Sequence, residues 1–296
     1  MKRFKLQWQI STNCSGMLIR EYLKSKHISK RALTDIKFAG GDILLNGQHA
    51  TVRQELKEGD TLAVLFPEEQ PGLSIVPEPV PLDIVYEDDH CLVISKQPGI
   101  PVIPSREHYG GTIANGLLHY YQKHGISSTI HLVNRLDRDT SGLMIAAKHR
   151  FSHSRFSALQ KEGKIKRTYE AVAEGEIQLQ SGTISAPIGR DPNSIIAREV
   201  REDGQHAVTH FTVISVRYGK TRLSLKLETG RTHQIRVHMK SIGHPLCGDT
   251  LYGGSLASIN RHALHSSRLS FWHPFLEKEM VFEAELPEDM KQLMEE

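Results

Sequence analysis

The sequence has no apolar run long enough to cross a bilayer. Its three cysteines, Cys14, Cys91 and Cys247, are far apart and odd in number, so they form neither a disulfide framework nor a zinc pattern. There is no His-Glu-x-x-His, and His233 and His238 are not four apart. Internal repeats and low-complexity tracts are also missing. The basic start, Met1 to Ile10, leads into the polar Ser11–Ser15 and not into an apolar signal core. These absences argue against a membrane protein, a disulfide scaffold and a metal-built site, and the expectation is a cytoplasmic protein without a metal.

What is present is ordinary for a globular chain: 296 residues, 39% hydrophobic and 24% charged. That length suits one large domain, or a medium domain with a small appendage. The net charge of +3 is unevenly spread. Residues 1–53 carry ten Lys or Arg against three acids, residues 54–89 one Lys against ten acids, and residues 130–170 nine against four. Two basic zones around an acidic connector suggest two surfaces facing one polyanion; ordinary solvated faces are the alternative.

Apolar residues at 18, 19, 22 and 23 give helical spacing over Met17–His27, and Ser29 is placed to cap a second helix through Phe38 that carries Lys30, Arg31 and Lys37. Gly40-Gly41 ends it. Ile43-Leu44-Leu45 is a strand, Asn46-Gly47 a hairpin turn, and Thr61 to Phe66 a further strand. Ser29-Lys30-Arg31, Ile36, Gly40, Ile43, Leu45-Asn46-Gly47 and Gly59-Asp60 together resemble the S-four-type RNA-binding domain. The resemblance implies that the second helix and the following loop, with Lys30, Arg31 and Lys37, hold RNA. It departs in the first helix, where Met17-Leu18-Ile19 stands for the usual Arg-Leu-Asp.

The expected division is residues 1–68 for this module, 69–81 for a Pro-rich acidic linker with prolines at 71, 77, 79 and 81, and 82–296 for a larger domain. In the larger domain Ile84–Tyr86, Leu92–Ile94, Thr168–Ala173, Ala207–Val216, Arg222–Leu227 and Leu264–Phe271 read as strands. Thr112–His124, Phe151–Glu162 and Arg231–Ile242 read as helices. Many strands with few helices between them indicate an α+β fold with a mostly antiparallel, mixed sheet.

One stretch concentrates unusual chemistry: His131 to Leu143, in which two acids, two arginines, a Thr-Ser pair and a glycine lie between apolar segments. It reads as strand, tight polar loop, strand, a rigid place for a reactive side chain. Asp137 is the candidate nucleophile or base; a turn or cap residue is the alternative. A second cluster, Thr229 to Arg236, follows a strand and opens a helix. Arg231 and Arg236 are five apart, so one can face a phosphate while the other turns inward, where it needs a carboxylate such as Asp137. A structural ion pair is the competing reading.

Asn134-Arg135-Leu136-Asp137-Arg138-Asp139-Thr140-Ser141-Gly142-Leu143 closely resembles the catalytic motif of RluA-type pseudouridine synthases, with Asn134 in place of the usual leading His. Lys96-Gln97-Pro98-Gly99, Lys166-Arg167-Thr168-Tyr169, Leu227 to His238 with Gly248-Asp249, and Leu264-His265 with Leu269-Ser270-Phe271 resemble further family segments in the right order. The resemblance implies isomerisation of uridine to pseudouridine within RNA, without redox cofactor, ATP or metal. By the same resemblance Asp137 acts at the ribose, by attack on C1′ or by removing the C2′ proton. Arg236 becomes its salt-bridge partner, Tyr169 stacks on the flipped uracil and serves as a candidate base at C5, and Ile235 floors the site. Arg135 fills the space the base leaves, and Arg138 and Arg231 contact RNA. For Tyr169, core packing with an outward hydroxyl is the competing reading; for Arg135, a plain phosphate contact.

The expected partner is RNA, ribosomal before transfer RNA, with no membrane and no small-molecule cofactor. Nothing suggests an obligate interface, so a monomer is expected. The alternatives are a non-catalytic RNA-binding or ribosome-assembly factor, and a base-excising glycosidase built on Asp137 and Asp139.

Overall fold

Ser29 starts the second helix as its position suggests: its Oγ accepts the Ala32 N–H at 3.1 Å. The computed structural model describes residues 4–69, 72, 75–105 and 109–295; Pro71, part of the expected linker, lies outside these. The first elements are β1 (Lys5–Gln9), α1 (Ile19–Ser25), α2 (Lys30–Phe38), β2 (Asp42–Leu45), β3 (Gln48–His49) and β4 (Thr61–Leu65). They form an antiparallel sheet in the order β1-β4-β2-β3. Asn46 and Gly47 turn β2 into β3 with φ of 52° and 82°, the two positive values that a tight two-residue hairpin demands. Ile19, Leu23, Ile36, Leu62 and Val64 fill a core that Phe151 of the later chain joins.

This first unit is packed against the rest of the chain. Phe4 stacks on His149 and Phe66 on Phe151, and Phe275 packs into the same cluster. Asp35 of α2 pairs with Arg150 at 3.5 Å. The acidic connector is also held. Glu69 accepts the Arg150 N–H at 2.6 Å and bonds His131 at 2.5 Å, while Glu78 accepts the Gly111 N–H at 2.7 Å.

The larger sheet uses β5 (Ile84–Glu87), β6 (Cys91–Lys96), β7 (His131–Leu132), β8 (Ser141–Ala147), β9 (Lys166–Glu174) and β10 (Ser181–Ser185). A side hairpin, β11 (Ile188–Arg190) and β12 (Arg198–Val200), leads on to β13 (Val208–Arg217), β14 (Lys220–Leu227), β15 (Leu264–His273) and β16 (Lys278–Glu283). The helices are α3 (Ile113–Lys123), α4 (Arg150–Lys161), α5 (Gln234–Ser241) and α6 (Glu288–Gln292). The strand order is β10-β13-β14-β9-β15-β8-β6-β5, with β16 beside β15 and β7 beside β8. Among the described residues β8 and β15 are the one parallel pair, so the mixed, mostly antiparallel α+β expectation holds.

Strand β8 is the axis of this sheet, buried along its whole length. Its alternation divides the core into two layers. Met144 and Ala146 face Leu117 and Tyr121 of α3 on one side. Leu143, Ile145 and Ala147 face Phe156 of α4 and Phe271 on the other. Gly142, second in the strand, is a glycine because nothing larger fits. Its φ is +101°, and a Cβ there would lie 2.3 Å from the Ser266 carbonyl oxygen of β15.

The structure also departs from the sequence reading. Strands β1, β10, β11, β12 and β16 carry no clear apolar signal. Lys5–Gln9 and Lys278–Glu283 are half polar and only half-bury two side chains each, Leu6 and Trp8 in the first and Met280 and Phe282 in the second. The helix expected over Arg231–Ile242 is shorter, because His233 takes a left-handed φ of 56° that ends helical geometry on its N-terminal side. Residues before it form a turn, held by Gln234 Oε1, which accepts from the Arg231 N–H and the Thr229 hydroxyl.

Candidate active site

The loop between β7 and β8 is anchored at both ends. At its start Asn134, buried, accepts the Ile145 N–H with Oδ1 at 2.8 Å. Its Nδ2 has no hydrogen-bond partner among the described residues. In the middle a turn closes where the Thr140 N–H reaches the Asp137 carbonyl at 3.2 Å. Lys96, 1% exposed, gives its ammonium to the carbonyls of Gln97, Ile100 and Arg138. Burial pulls its pKa down to about 8 despite the nearby Asp139 and Asp137. The Lys96-Gln97-Pro98-Gly99 segment therefore ties directly to the loop. At the far end Thr140 bonds His262 at 2.8 Å, Ser141 bonds His265 at 2.9 Å, and Arg261 reaches the Asp139 carbonyl.

This loop delivers Asp137 to the floor of an open cleft. Tyr169 and Arg167, two apart on β9 and so on one face, form one wall. Leu136, Ile235 and Leu264 add apolar surface, and Arg135, Arg231 and the first turn of α5 close the cleft. Tyr169 and Ile235 are buried, whereas Arg135 and Arg231 are exposed at the rim. Four arginines, at 135, 167, 231 and 236, surround one acid, a field suited to a phosphodiester chain.

Arg236 fixes the acid. The guanidinium, 6% exposed, grips Asp249 with two parallel hydrogen bonds of 2.7 and 2.8 Å. Its remaining amino group donates to Asp137 Oδ2 at 3.0 Å. Asp249 is sealed in, whereas the Asp137 side chain keeps 28% of its surface. Burial alone raises the pKa of Asp137, but the charges of His233, Arg236 and His262, the histidines being protonated at the acid pH where this carboxyl titrates, outweigh it and hold the carboxyl below the ordinary Asp range. Burial brings His262 down to about 4 and lowers His233 as well, so at neutral pH both are uncharged and Arg236 is the permanent cation. A depressed carboxyl pKa means that the pair is fully formed above the unfolded value and is lost only as pH falls through the folded one.

The residues singled out in the sequence do not all meet here. Asp137, Arg236, Tyr169, Ile235, Arg135 and Arg231 share the cleft. Arg231 points outward and donates Nε to the His206 carbonyl at 3.0 Å. Arg138 is exposed and doubly bonded to Asp139 at 3.0 and 3.1 Å. With Asp139 so occupied, it does not pair with Asp137 across the cleft. Lys30, Arg31 and Lys37 are exposed on α2, outside the cleft lining. The sequence reading missed His262 and the direct roles of Asp249 and Lys96. A buried Asp after Gly248, and a Lys ending an apolar strand, were the available signals.

Away from the cleft, Asp88, Cys91 and His273 gather within 4.8 Å, a grouping not foreseen in the sequence. Asp88 Oδ2 takes bonds from His273 and the Tyr86 hydroxyl, and Oδ1 from the His90 and Cys91 N–H groups. The acid is thus fully used as a hydrogen-bond hub joining β5, β6 and β15.

Because Arg236 is buried between two acids, removing the inner one leaves a buried guanidinium underpaired. Asp249→Ala is expected to lower unfolding free energy by about 3–5 kcal/mol, read from urea denaturation. Arg268→Ala, at the exposed Arg268–Glu283 pair, is expected to cost less than about 1 kcal/mol.

The family model for RNA pseudouridylate synthase matches residues 90–241, which spans the Asp137 loop, Tyr169 and Arg236. "Uncharacterized RNA pseudouridine synthase YjbO" of Bacillus subtilis (strain 168) is 58% identical over 278 residues, 94% of this chain and 98% of its own. "Ribosomal large subunit pseudouridine synthase D" of Escherichia coli (strain K12) is 38% identical over 267 residues, 86% of this chain and 82% of its own. Among solved structures, Human RNA Pseudouridylate Synthase Domain Containing 1 superposes with a TM-score of 0.58 at 25% identity, covering 73% of this chain and 86% of its own. The sequence of the loop, the sheet that carries it and these relatives agree: the chain belongs to the RNA pseudouridylate synthase family, on its RluA/RluD side, and is an isomerase acting on RNA.

Proposed function

We propose that the cleft around Asp137 is where a uridine of large-subunit ribosomal RNA becomes pseudouridine, with Asp137 acting at the ribose. The observation that carries this is the carboxylate itself: partly exposed at the cleft floor, yet held by a buried arginine. In the reaction the N1–C1′ bond breaks, the uracil turns, a C5–C1′ bond forms, and the C5 proton is lost as N1 gains one. Atoms and electrons balance within the nucleotide, so the conversion calls for no oxidant, reductant or phosphoryl donor. Attack on C1′ and removal of the C2′ proton both start from an ionised, directed carboxylate. The depressed pKa of Asp137 supplies that state at neutral pH.

The other side chains fit roles around it. Unstacking the target base costs a few kcal/mol, and Arg135, exposed at the rim, is placed to occupy the vacated space. Tyr169 offers a ring for the flipped uracil and a hydroxyl for the C5 proton, and Ile235 an apolar floor. Arg231 and Arg138, both exposed and each hydrogen-bonded within the protein, are assigned to contact RNA with their outer surfaces. The similarity to the large-subunit enzyme favours ribosomal over transfer RNA. We assign residues 1–68 as an S-four-type RNA-binding module and 82–296 as the catalytic domain, acting as a cytoplasmic monomer. Lys30 and Lys37 lie seven apart, two turns along one exposed face of α2, as a phosphate-binding face requires.

Asp137→Asn is expected to fold and bind RNA but to form no pseudouridine, measured by mapping the modification in ribosomal RNA; turnover in that variant would remove Asp137 from its role. Replacing Lys30, Arg31 and Lys37 together by Ala is expected to weaken RNA binding and flatten its salt dependence. The log–log slope should fall by about 2–3 if each lysine or arginine contacts one phosphate. An unchanged slope would separate α2 from RNA.

A further inference from the structure

His233 stands at the entry to α5 in a left-handed conformation, φ 56° and ψ 19°, which is uncommon for a residue bearing a Cβ and is kept where surroundings impose it. Its ring is mostly enclosed, with 16% of its side-chain surface exposed. Nδ1 lies 2.8 Å from the Tyr252 hydroxyl, and Nε2 lies 3.9 Å from Asp137 Oδ2. Tyr252 is itself 2% exposed, and its oxygen already accepts the Arg198 N–H of β12 at 2.9 Å. The tyrosine proton therefore needs an acceptor. Among the described residues, the one hydrogen-bonded to it is His233 Nδ1. A neutral imidazole that accepts at Nδ1 carries its proton on Nε2, and that N–H looks toward Asp137.

The two donors near Asp137 also converge on the same oxygen. Arg236 donates to Oδ2 at 3.0 Å, and Oδ2 is the atom closest to His233 Nε2. We propose that His233 is a positioning residue for the reaction: Tyr252 locks it as the neutral Nε2–H tautomer, and with RNA bound it joins Arg236 in clamping Asp137 Oδ2, leaving Oδ1 to face the nucleotide. The 3.9 Å separation is too long for a hydrogen bond, so the clamp closes with substrate, as catalytic contacts often do. The proposal rests on Asp137 being the reacting carboxylate. It adds a device that neither the loop motif nor the arginine supplies, a tautomer set by a buried tyrosine from a distant segment. Tyr252 serves twice, since its ring also lies 5.0 Å from the Arg236 guanidinium.

The test uses full-length protein labelled with ¹⁵N-histidine, together with single-turnover kinetics on RNA. The nitrogen shifts of His233 are expected to show Nε2 protonated and Nδ1 bare, and Tyr252→Phe to mix the tautomers. His233→Asn keeps a left-handed-tolerant residue and a partner for Tyr252 but cannot reach Asp137; its single-turnover rate should fall about 10- to 100-fold with KM unchanged. His233→Gln, whose amide reaches the place of Nε2–H, should recover most of that rate. An Nδ1-protonated His233 in the wild type overturns the proposal even if the variants fold poorly. Equal rates for Asn and Gln, or a loss confined to KM, also overturn it. Turnover in Asp137→Asn would instead sink the reading beneath it, and the tautomer measurement stands apart from that result.

Discussion

The corner proposed as catalytic depends on one buried cation shared by two acids. Arg236 gives two hydrogen bonds to Asp249, which is sealed from solvent, and a third to Asp137, which is not. The inner pair compensates for burying a guanidinium, because both charges are satisfied with bidentate geometry. The outer bond then directs an acid that stays partly exposed to the cleft. Without Asp249, Arg236 would have Asp137 as its one carboxylate partner among the described residues, and the proposed reacting group would double as the structural counter-ion. Dividing these tasks between two acids lets Asp137 stay charged, oriented and open.

Much of the larger sheet bears on where that corner sits. The close parallel approach of β8 and β15 places the Thr140-Ser141-Gly142 end of the loop beside His262 and His265. Lys96 holds the loop through the Arg138 carbonyl, its other two bonds going to Gln97 and Ile100 of its own segment. A loop so restrained needs little reorganisation when RNA arrives, and preorganisation of this kind is how an electrostatic site gains its effect. The first unit, docked through Phe4, Phe66 and Phe151, carries its exposed basic helix as part of the same folded body.

The sequence was most legible where period and punctuation are strong. The all-apolar strand Leu143–Ala147, the Ser29 cap and the Asn46-Gly47 turn each have a local cause, and each stands where that cause puts it. Asp137 and Arg236 were readable as a pair because a carboxylate in a rigid loop and an inward arginine each need a partner. Weakly patterned edge strands such as Lys278–Glu283 were not readable, since two half-buried side chains, Met280 and Phe282, resemble a loop. The early end of α5 was hidden too, because nothing local announces that His233 will be left-handed. Asp249, Tyr252 and His262 act through contacts made only when distant segments meet. Asn134, puzzling as a loop residue, is explained by a buried bond to Ile145 that depends on the pairing of the flanking strands.

The central claim is that Asp137 is an ionised acid held by Arg236. The most direct measurement is the titration of its side-chain carboxyl carbon by ¹³C NMR in the free protein. A midpoint below the 3.8 of an unperturbed aspartate is expected, rising when Arg236 is replaced by Gln in the same experiment. A midpoint at or above that value, or one indifferent to Arg236, would contradict that claim.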